Sequence, residues 1–330
     1  MLISSRTPLR VSFFGGGTDY PEYFSRRRGA VVGMAINKYI YISVVHLSSF
    51  LEYKYRVSYS KLEFADRPED IQHPVIREAL RHFEVDKALD INVMSDLPAN
   101  TGLGSSSSFT VGFVYLIAAL QSQNLTKHDL ARKAIFIERE LLKENVGVQD
   151  QFHAAFGGLN RFDFEDNRVR ISPVQMTGDC LDHLLNSLTL LYTGIKRHAS
   201  VMLEEQIRST TEKKLDGDLA ELLVLTDQAV SVLEGNDPET VAGDFAAMLH
   251  EGWQVKRRLS EHMTNDTIDE IYDAALRHGA MGGKLCGAGG GGFLLMVVPP
   301  ELQEGLANAI APLRLLNIGL DTQGSTIIRS

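Results

Sequence analysis

The segment Leu97–Phe113, LPANTGLGSSSSFTVGF, constrains the fold of this chain most, because it joins a glycine loop to four serines and an apolar helix. Backbone N–H groups at such a loop point the same way as a helix N-terminus and attract an anion. Glycine lets a phosphate approach the main chain, and the serine hydroxyls can cap the helix, bind phosphate or ligate a hard cation. An ordinary capped helix is the alternative, although a cap needs only one such residue. The segment predicts a phosphate-binding loop.

Composition excludes several functional classes. At 330 residues the chain is long enough for two domains. Its formal net charge of −9 argues against nucleic-acid binding, which usually needs a basic face. Two cysteines, Cys180 and Cys286, offer neither a disulfide framework nor metal-ligand spacing, which favours a reducing compartment. The N-terminus lacks a signal core and no window reaches the ~18 apolar residues of a membrane span, so we expect a cytoplasmic protein without a membrane partner.

The order of strand and helix patterns predicts an α+β fold with two halves, each starting with strands over which helices pack. The composition changes near Pro173–Asp179, which predicts domains at 1–175 and 176–330. Thr126 is the expected N-cap of a helix over 127–144. The predicted strands are 9–14, 30–47 as one long or two consecutive strands, 53–60, 89–97, a hairpin within 159–174, 184–194 and 325–330. The other predicted helices are 74–83, the loop helix, a short helix near 149–156, a nearly continuous helical region over 198–278 and 302–313.

Three glycine-rich turns, at Gly15, Gly102 and Gly287, abut apolar strands or helices. The P-loop pattern fails near Lys284, because His278 and Leu285 stand where glycine and Ser/Thr are required. The dinucleotide pattern is formally met by Gly287, Gly289 and Gly292, yet it lies late in the chain and leads into a strand instead of a helix. The three turns together favour one shared anionic ligand, for which a triphosphate is the simplest candidate.

Three segments, RVSFFGGGTD, PANTGLGSSSS and KLCGAGGGGF, resemble the three signature motifs of the GHMP kinases, in the right order. RVSFFGGGTDYPEYF, AINKYIYISV and ENVGVQDQF resemble the sugar-1-kinase branch of that family, which includes kinases of heptose 7-phosphate and of fucose. The resemblance implies a ribosomal-protein-S5-like N-terminal domain, a ferredoxin-like C-terminal domain and an active site between them. ATP and Mg²⁺ are the implied cofactors.

By motif alignment, the resemblance implies that Asp150 is the catalytic base, or at least orients the acceptor hydroxyl, and that Arg10 pairs with it. Ser106 and Glu138 are the implied Mg²⁺ ligands, Glu140 being less well placed. A helix cap at Asp150 and a surface charge at Glu138 are the structural alternatives. The ATP phosphates would lie along the second and third motifs, at Pro98, Gly102, Leu103, Gly104, Ser105, Ser106, Ser107, Gly287 and Gly289.

The first motif departs from that of galactokinases, in which Glu and His stand at the positions of Gly16 and Gly17. The loss of an anion and a ring opens space, so we expect a substrate longer than a hexose or phosphorylated at its far end. Thr18 and Asp19 remain, and Asp19 would bind ring hydroxyls. The candidate cations for a substrate phosphate are the 26–28 arginine cluster, Lys196, Arg197 and His198, with Arg197 preferred and a surface charge as the alternative.

The resemblance thus implies transfer of the ATP γ-phosphate to the anomeric C1 hydroxyl of a sugar phosphate such as D-glycero-α-D-manno-heptose 7-phosphate. A fucose or other sugar 1-kinase shares every motif and is the alternative. A non-catalytic nucleotide- or sugar-binding regulator is the alternative from another class, and intact Ser106, Glu138 and Asp150 argue against it. The oligomeric state stays open between monomer and homodimer.

Overall fold

The computed structural model describes residues 2–166, 168–195 and 199–329, with side chains of residues 199–203 outside the description. Its strands, in chain order, are β1 (Leu2–Phe14), β2 (Gly29–His46), β3 (Tyr55–Ser58), β4 (Leu62–Ala65), β5 (Leu89–Ser95), β6 (Leu159–Glu165), β7 (Arg168–Pro173), β8 (Leu188–Tyr192), β9 (Gly282–Leu285), β10 (Phe293–Val297), β11 (Arg314–Asn317) and β12 (Thr326–Arg329). Its α-helices are α1 (Pro21–Phe24), α2 (Pro74–His82), α3 (Ser105–Leu120), α4 (Lys127–Phe136), α5 (Gln149–Phe156), α6 (Gly178–Ser187), α7 (Ala199–Thr211), α8 (Asp216–Leu233), α9 (Pro238–Arg257), α10 (Asp266–Arg277) and α11 (Pro300–Ala309). A 3₁₀ turn spans Pro68–Asp70 and a π-helical turn spans Ile137–Leu141.

The first sheet is organised around β2, whose two halves pair with different strands. Residues 29–34 of β2 pair with β6 and residues 40–46 pair with β5, both antiparallel, while β1 lies along the other edge of β2. The strand order is β12-β1-β2-β5-β3-β4, with β6 and β7 branching from β2. The sequence left open whether 30–47 forms one long strand or two consecutive strands. The structure shows one strand whose two halves pair with different neighbours.

The second sheet has the order β11-β8-β10-β9 and is antiparallel throughout. Its chain order, with helices α7 to α10 between β8 and β9 and α11 between β10 and β11, is the βαββαβ arrangement of ferredoxin-like domains. The α+β prediction with a ferredoxin-like second domain is therefore confirmed.

The chain does not divide cleanly at residue 175. The gap between β7 and α6 contains that point, but β12 returns to the first sheet and pairs with β1, from Ile3 opposite Arg329 to Arg6 opposite Thr326. A buried apolar core is shared by both halves, with Phe13 and Phe14 packing edge-on against Phe245 of α9 at 5.0 and 5.6 Å between ring centroids. Division at residue 175 remains a prediction.

Most predicted elements are confirmed, including the Thr126 cap, whose hydroxyl accepts a hydrogen bond from the Asp129 amide. The predicted helix over 127–144 is α4 followed by the π-helical turn at Ile137–Leu141. β4, β9 and β11 were not predicted, because each is short and lacks a clear period. The predicted strand over 184–194 is wrong in its first residues, since 184–187 belong to α6 and β8 begins at Leu188. Among the described residues, no helix combines the length and the apolar character that crossing a bilayer requires.

Candidate active site

The three glycine turns lie around one cleft of about 940 Å³, which includes space open to solvent. Four charged side chains of the described residues line it: Arg10, Asp19, Asp150 and Lys256. The other lining residues are Ser12, Gly16, Gly17, Tyr20, Asn100, Gly102, Gly104, Ser105, Ser106, Ser107, Val146, Gly147, Gln149, Gln206, Gly287 and Ala288. Residues of all three turns thus line one cleft, and the anionic ligand that they are expected to share remains a prediction.

The second glycine turn delivers the N-terminus of α3 to the cleft. Gly104 is the N-cap of α3 and has φ 74°, a conformation that glycine adopts without strain. A Cβ there would lie 3.2 Å from both Arg10 Cγ and Asp150 Oδ2, so glycine also lets those side chains lie against the loop. Because the first helical amides lack intrahelical acceptors, this helix end offers N–H donors and positive potential to an anion.

Ser105, Ser106 and Ser107 line the cleft, whereas two residues of the same segment that are predicted to contact phosphate, Pro98 and Leu103, do not. Leu103 is buried, and its carbonyl accepts a hydrogen bond from the Arg10 amide at 3.0 Å. The carbonyl of Pro98 accepts from the Thr101 hydroxyl at 2.9 Å. Both residues therefore stabilise the loop through hydrogen bonds and lie outside the cleft lining.

Arg10 and Asp150 form a two-pronged ion pair beside this loop. Nε and one terminal nitrogen of Arg10 each donate to a different carboxylate oxygen of Asp150 at 2.7 Å, and the other terminal nitrogen donates to the Gly102 carbonyl at 2.6 Å. Burial disfavours the charged guanidinium, but attraction to Asp150 outweighs it and raises the pKa of Arg10 above its ordinary value. Strand β1 supplies Arg10 and the first turn of α5 supplies Asp150, so the pair fixes the two elements to the loop.

Asp150 does not cap its helix. The N-cap position of α5 is Val148, which provides no side-chain cap, and the Asp150 carboxylate points at Arg10 instead. The Asp150 side chain keeps 22% of its surface exposed in the cleft, where each oxygen has a further lone pair available to a substrate hydroxyl.

Glu138 lies in the π-helical turn and is fully buried. Its carboxylate accepts hydrogen bonds from the Ser107 hydroxyl at 3.0 Å, from the Thr110 hydroxyl at 2.8 Å and from the Gln151 amide. Burial raises the pKa of Glu138 to about 7, against the opposing effect of these donors. The serine that contacts it is Ser107, whereas Ser106 is the residue that the resemblance implies as the other Mg²⁺ ligand, and Glu138 itself is not among the cleft-lining residues.

Asp19 is the second carboxylate of the cleft and is 1% exposed. Its oxygens accept backbone N–H bonds from Gly17 at 3.0 Å and from Gln149 at 3.3 Å. Burial raises the pKa of Asp19, the negative charge of Asp150 adds to this, and the donors oppose it. A Cβ on Gly147 would lie 2.0 Å from Asp19 Oδ2, so only glycine permits this close approach.

Thr18, predicted to bind substrate, is buried and lies outside the cleft lining. Its Oγ1 lies 2.8 and 2.9 Å from the carbonyl oxygens of Gly15 and Ala30, either of which can accept the hydroxyl hydrogen, and Oγ1 accepts from the Ala30 amide. The side chain therefore closes the first glycine turn onto the start of β2.

The third glycine turn brings Gly287 to the cleft beside Lys256 of α9. Lys256 Nζ donates to the Gly287 carbonyl at 2.5 Å, and the residue is 8% exposed. Gly289 packs against Met263 and is not part of the cleft lining. Lys284 Nζ donates to the carbonyls of Ser12 and Phe13 at 2.7 and 2.8 Å, which ties β9 to the end of β1; burial, with Lys256 nearby, lowers the pKa of Lys284 well below its ordinary value.

The arginine cluster at 26–28 is engaged elsewhere. Arg26 and Arg27 lie 3.3 and 3.4 Å from Asp216, and Arg28 lies 2.6 Å from Asp227, both acids being on α8. None of the three lines the cleft, so they join the first domain to α8 and are not candidates for a substrate phosphate. Arg197, together with Lys196 and His198, lies outside the described residues.

Sequence reasoning missed several cleft residues for different reasons. Ser12, Tyr20 and Gln149 adjoin the first motif or Asp150, and that proximity was an available signal. Lys256 and Gln206 lie on long helices with no motif around them, and only the fold brings them to the glycine turns.

Comparison with known proteins gives the family. Residues 72–158 match the model of the GHMP kinases N terminal domain and residues 240–312 match that of the GHMP kinases C terminal. The D-glycero-alpha-D-manno-heptose 7-phosphate kinase of Campylobacter jejuni is 29% identical over 93% of both chains. The bifunctional fucokinase/GDP-fucose pyrophosphorylase of Arabidopsis thaliana is 23% identical over 88% of this chain, which spans 29% of that protein.

Among solved structures, a D-glycero-D-manno-heptose 1-phosphate kinase from Bacteriodes thetaiotaomicron superposes with a TM-score of 0.80. It is 23% identical and the match covers 99% of both chains, so it shows the shared fold. Both family models match in the expected order, and the cleft lies where the three motifs meet. The chain belongs to the GHMP kinase family.

Proposed function

We propose that the chain is an ATP-dependent sugar kinase that phosphorylates the anomeric C1 hydroxyl of D-glycero-α-D-manno-heptose 7-phosphate. The single observation that supports the reaction type most is the Arg10–Asp150 pair, held at 2.7 Å beside the N-terminus of α3 in one cleft. The heptose 7-phosphate kinase of Campylobacter jejuni, alike over nearly the full length of both chains, supports the acceptor. The product would be the 1,7-bisphosphate, a precursor of nucleotide-activated heptose for surface polysaccharides.

Phosphoryl transfer asks a protein mainly to position two ligands and to neutralise charge. In our proposal the free amides of α3 and the hydroxyls of Ser105 and Ser106 receive the phosphates of ATP. Asp150 accepts a hydrogen bond from the acceptor hydroxyl and orients its oxygen, and Arg10 stabilises charge on that oxygen. Asp19 accepts hydrogen bonds from ring hydroxyls with the lone pairs that Gly17 and Gln149 leave available.

The proposed Mg²⁺ ligands are Ser106 and Glu138, which provide the oxygen donors that this ion prefers. Ser106 lines the cleft, whereas Glu138 is fully buried outside the lining and accepts a hydrogen bond from Ser107, which lines it. When bound, the ion would neutralise phosphate charge. The described residues contain no cluster of three or more His, Cys, Asp or Glu side chains arranged for a metal.

Lys256 is our candidate for the distal phosphate of the acceptor. Within the described parts of the chain it is the basic residue other than Arg10 that lines the cleft. A Cβ on Gly17 would lie 2.9 Å from Leu219 Cδ2 of α8 and 3.2 Å from Gln206 Nε2 of α7, so these two helices pack closely against the first glycine turn. Arg197 remains an additional proposal.

Steady-state ADP release with ATP, Mg²⁺ and a panel of heptose 7-phosphate, fucose, galactose and mannose tests this function. We expect the highest kcat/KM for heptose 7-phosphate. Equal or faster turnover of an unphosphorylated sugar would overturn the choice of acceptor, and no ADP release with any sugar would overturn the enzyme itself.

A further inference from the structure

Gln206 of α7 brings an unpaired carboxamide to the cleft. The residue lines the cleft and is only 5% exposed. Neither Oε1 nor Nε2 hydrogen-bonds another residue in the described parts of the chain, and neither atom is sealed from solvent. The small surface that this side chain keeps therefore includes both polar atoms of its amide. Because a buried amide without a protein partner is uncommon, its place in a cleft indicates a ligand that completes it.

Contacts on both sides of Gln206 fix α7 against the rest of the molecule. One residue earlier, Glu205 accepts a hydrogen bond from the Ser260 hydroxyl at 3.0 Å. One turn later, the carbonyl of Thr210 accepts a hydrogen bond from Arg26 at 2.9 Å, which joins α7 to the segment that follows α1. The helix therefore presents the carboxamide at a fixed place, as a preorganised binding group requires.

The Gln206 amide lies next to the part of the cleft that Asp19 borders, since Gly17 adjoins both side chains. The Gly17 backbone N–H donates to Asp19 Oδ1 at 3.0 Å, and a Cβ on Gly17 would lie 3.2 Å from Gln206 Nε2. Both side chains belong to residues that line the cleft. A sugar whose hydroxyl groups reach Asp19 would therefore place its next groups within reach of Gln206.

We propose that the Gln206 carboxamide binds two adjacent hydroxyl groups of the acceptor sugar, beside those at Asp19. The proposal rests on the proposed function, because it requires a polyhydroxylated acceptor. An amide matches a vicinal diol, since Nε2 donates to one hydroxyl oxygen and Oε1 accepts from the other hydroxyl. A phosphate dianion only accepts hydrogen bonds, so it would pair with Nε2 and leave Oε1 unpaired. The two accessible atoms of Gln206 therefore favour a diol over the distal phosphate.

Gln206→Met removes both hydrogen-bonding atoms and keeps the length of the side chain. We expect kcat/KM for heptose 7-phosphate to fall about 30-fold, since two hydrogen bonds to the acceptor are lost. The KM for ATP should not change. The melting temperature of the free protein should not fall, because the amide has no partner among the described residues. A structural role for Gln206 would instead lower the melting temperature and leave the kinetics unchanged.

Thr210→Val is the matched control. Thr210 lies one turn after Gln206 on α7, is 2% exposed and does not line the cleft. Its hydroxyl donates to the Gln206 carbonyl at 2.8 Å. The substitution therefore removes a buried polar atom from the same helix with little change of shape. It should lower the melting temperature slightly and leave kcat/KM for heptose 7-phosphate unchanged.

The decisive experiment measures kcat/KM of the wild type and Gln206→Met with heptose 7-phosphate and with each of its monodeoxy analogues. Two analogues, which lack the hydroxyls of one adjacent pair, should lose about 5-fold in Gln206→Met instead of about 30-fold, because one of the two hydrogen bonds is already absent. The other analogues should lose about 30-fold.

An equal loss with every analogue, coupling at only one position, or a Gln206→Met variant that behaves like Thr210→Val would overturn the diol subsite alone. A wild-type protein that is inactive with heptose 7-phosphate and with every other sugar would overturn the proposed function instead.

Discussion

The two carboxylates of the cleft differ in the groups that hold them. Asp150, on the paired side of the cleft, accepts two hydrogen bonds from the Arg10 guanidinium. Asp19, in the first glycine turn, accepts hydrogen bonds from the neutral backbone amides of Gly17 and Gln149, and burial raises its pKa. The Asp150 carboxylate is therefore preorganised by a cation of the protein, whereas the hydrogen bonds to Asp19 come from neutral donors.

The largest effect is expected at the paired side. Asp150→Ala removes the carboxylate that orients the acceptor and leaves Arg10, which is 6% exposed in its side chain, without its partner. We expect kcat to fall at least about 10³-fold, since positioning and charge placement supply most of the catalysis in phosphoryl transfer. Steady-state ADP release measures it, with ATP binding by calorimetry as the check that the fold and nucleotide site persist. A kcat within a few-fold of wild type would contradict the role assigned to Asp150.

The next effect tests the far end of the acceptor. Lys256→Met should raise KM for heptose 7-phosphate roughly 10- to 150-fold, since a hydrogen bond to a charged group contributes about 1.5–3 kcal/mol. The same variant should change turnover of an unphosphorylated sugar little. Arg257→Met is the neighbouring control, because Arg257 pairs with Asp269 at 2.7 Å and lies outside the cleft lining. A rise in KM for ATP alone would assign Lys256 to the nucleotide and remove the proposed phosphate site.

Glu138 gives a pH-dependent prediction. Burial raises its pKa from 4.5 to about 7, so between these values the folded protein keeps a proton that the unfolded chain releases. Stability should therefore fall as pH rises from about 5 to about 7 and then level off, and Glu138→Gln should remove this contribution. Melting curves at several pH values measure it, with Glu140→Gln as control, since Glu140 is exposed and pairs with Lys143. Identical pH profiles of wild type and Glu138→Gln would contradict the raised pKa.

The same variant tests the metal. Mg²⁺ favours the charged carboxylate, so the Mg²⁺ concentration needed for half-maximal activity should increase as pH falls below about 7. Glu138→Gln should raise the Mg²⁺ concentration needed for half-maximal activity several-fold and make it less dependent on pH. Glu140→Gln should change neither. If Glu138→Gln needs the same Mg²⁺ concentration as the wild type, Glu138 is not a Mg²⁺ ligand, and its role is to accept hydrogen bonds from Ser107 and Gln151.

The smallest effect is expected at the arginine cluster. Arg28→Ala removes partly exposed ion pairs with Asp227 and Asp163, at 2.6 and 3.6 Å. Such pairs stabilise a protein by about 0–1 kcal/mol, so the melting temperature should fall only slightly and KM for heptose 7-phosphate should stay unchanged. A clear increase in that KM would contradict this assignment and indicate that the arginine cluster contacts the substrate.

Local sequence predicted the elements with strong periods and the turns with distinctive chemistry. The Thr126 cap, the long β2 and the loop-to-helix transition at Ser105 follow from properties of consecutive residues. β11 and β9 are short and depend on pairing with β8 and β10, so their own residues carry little signal. The return of β12 to β1 depends on contacts between residues more than 300 positions apart, which no local pattern encodes.

The same distinction holds for the site. Arg10, Asp19 and Asp150 belong to motifs, and the structure brings them into one cleft. Thr18, Leu103 and Pro98 belong to the same motifs, but they hydrogen-bond within the turns and do not line the cleft. The sequence alone does not distinguish motif residues that hold a turn together from those that contact a ligand. Lys256 and Gln206 become cleft residues only through the packing of the second domain's helices against the first glycine turn.

The most direct test of the account is the ³¹P NMR spectrum of the product formed from ATP and D-glycero-α-D-manno-heptose 7-phosphate. We predict that the original phosphate signal persists and that one new phosphomonoester signal appears, coupled to the anomeric proton, as ADP accumulates. A new phosphate coupled to any other position, or ATP hydrolysis without phosphorylation of the sugar, would contradict the central claim that this cleft transfers phosphate to an anomeric hydroxyl.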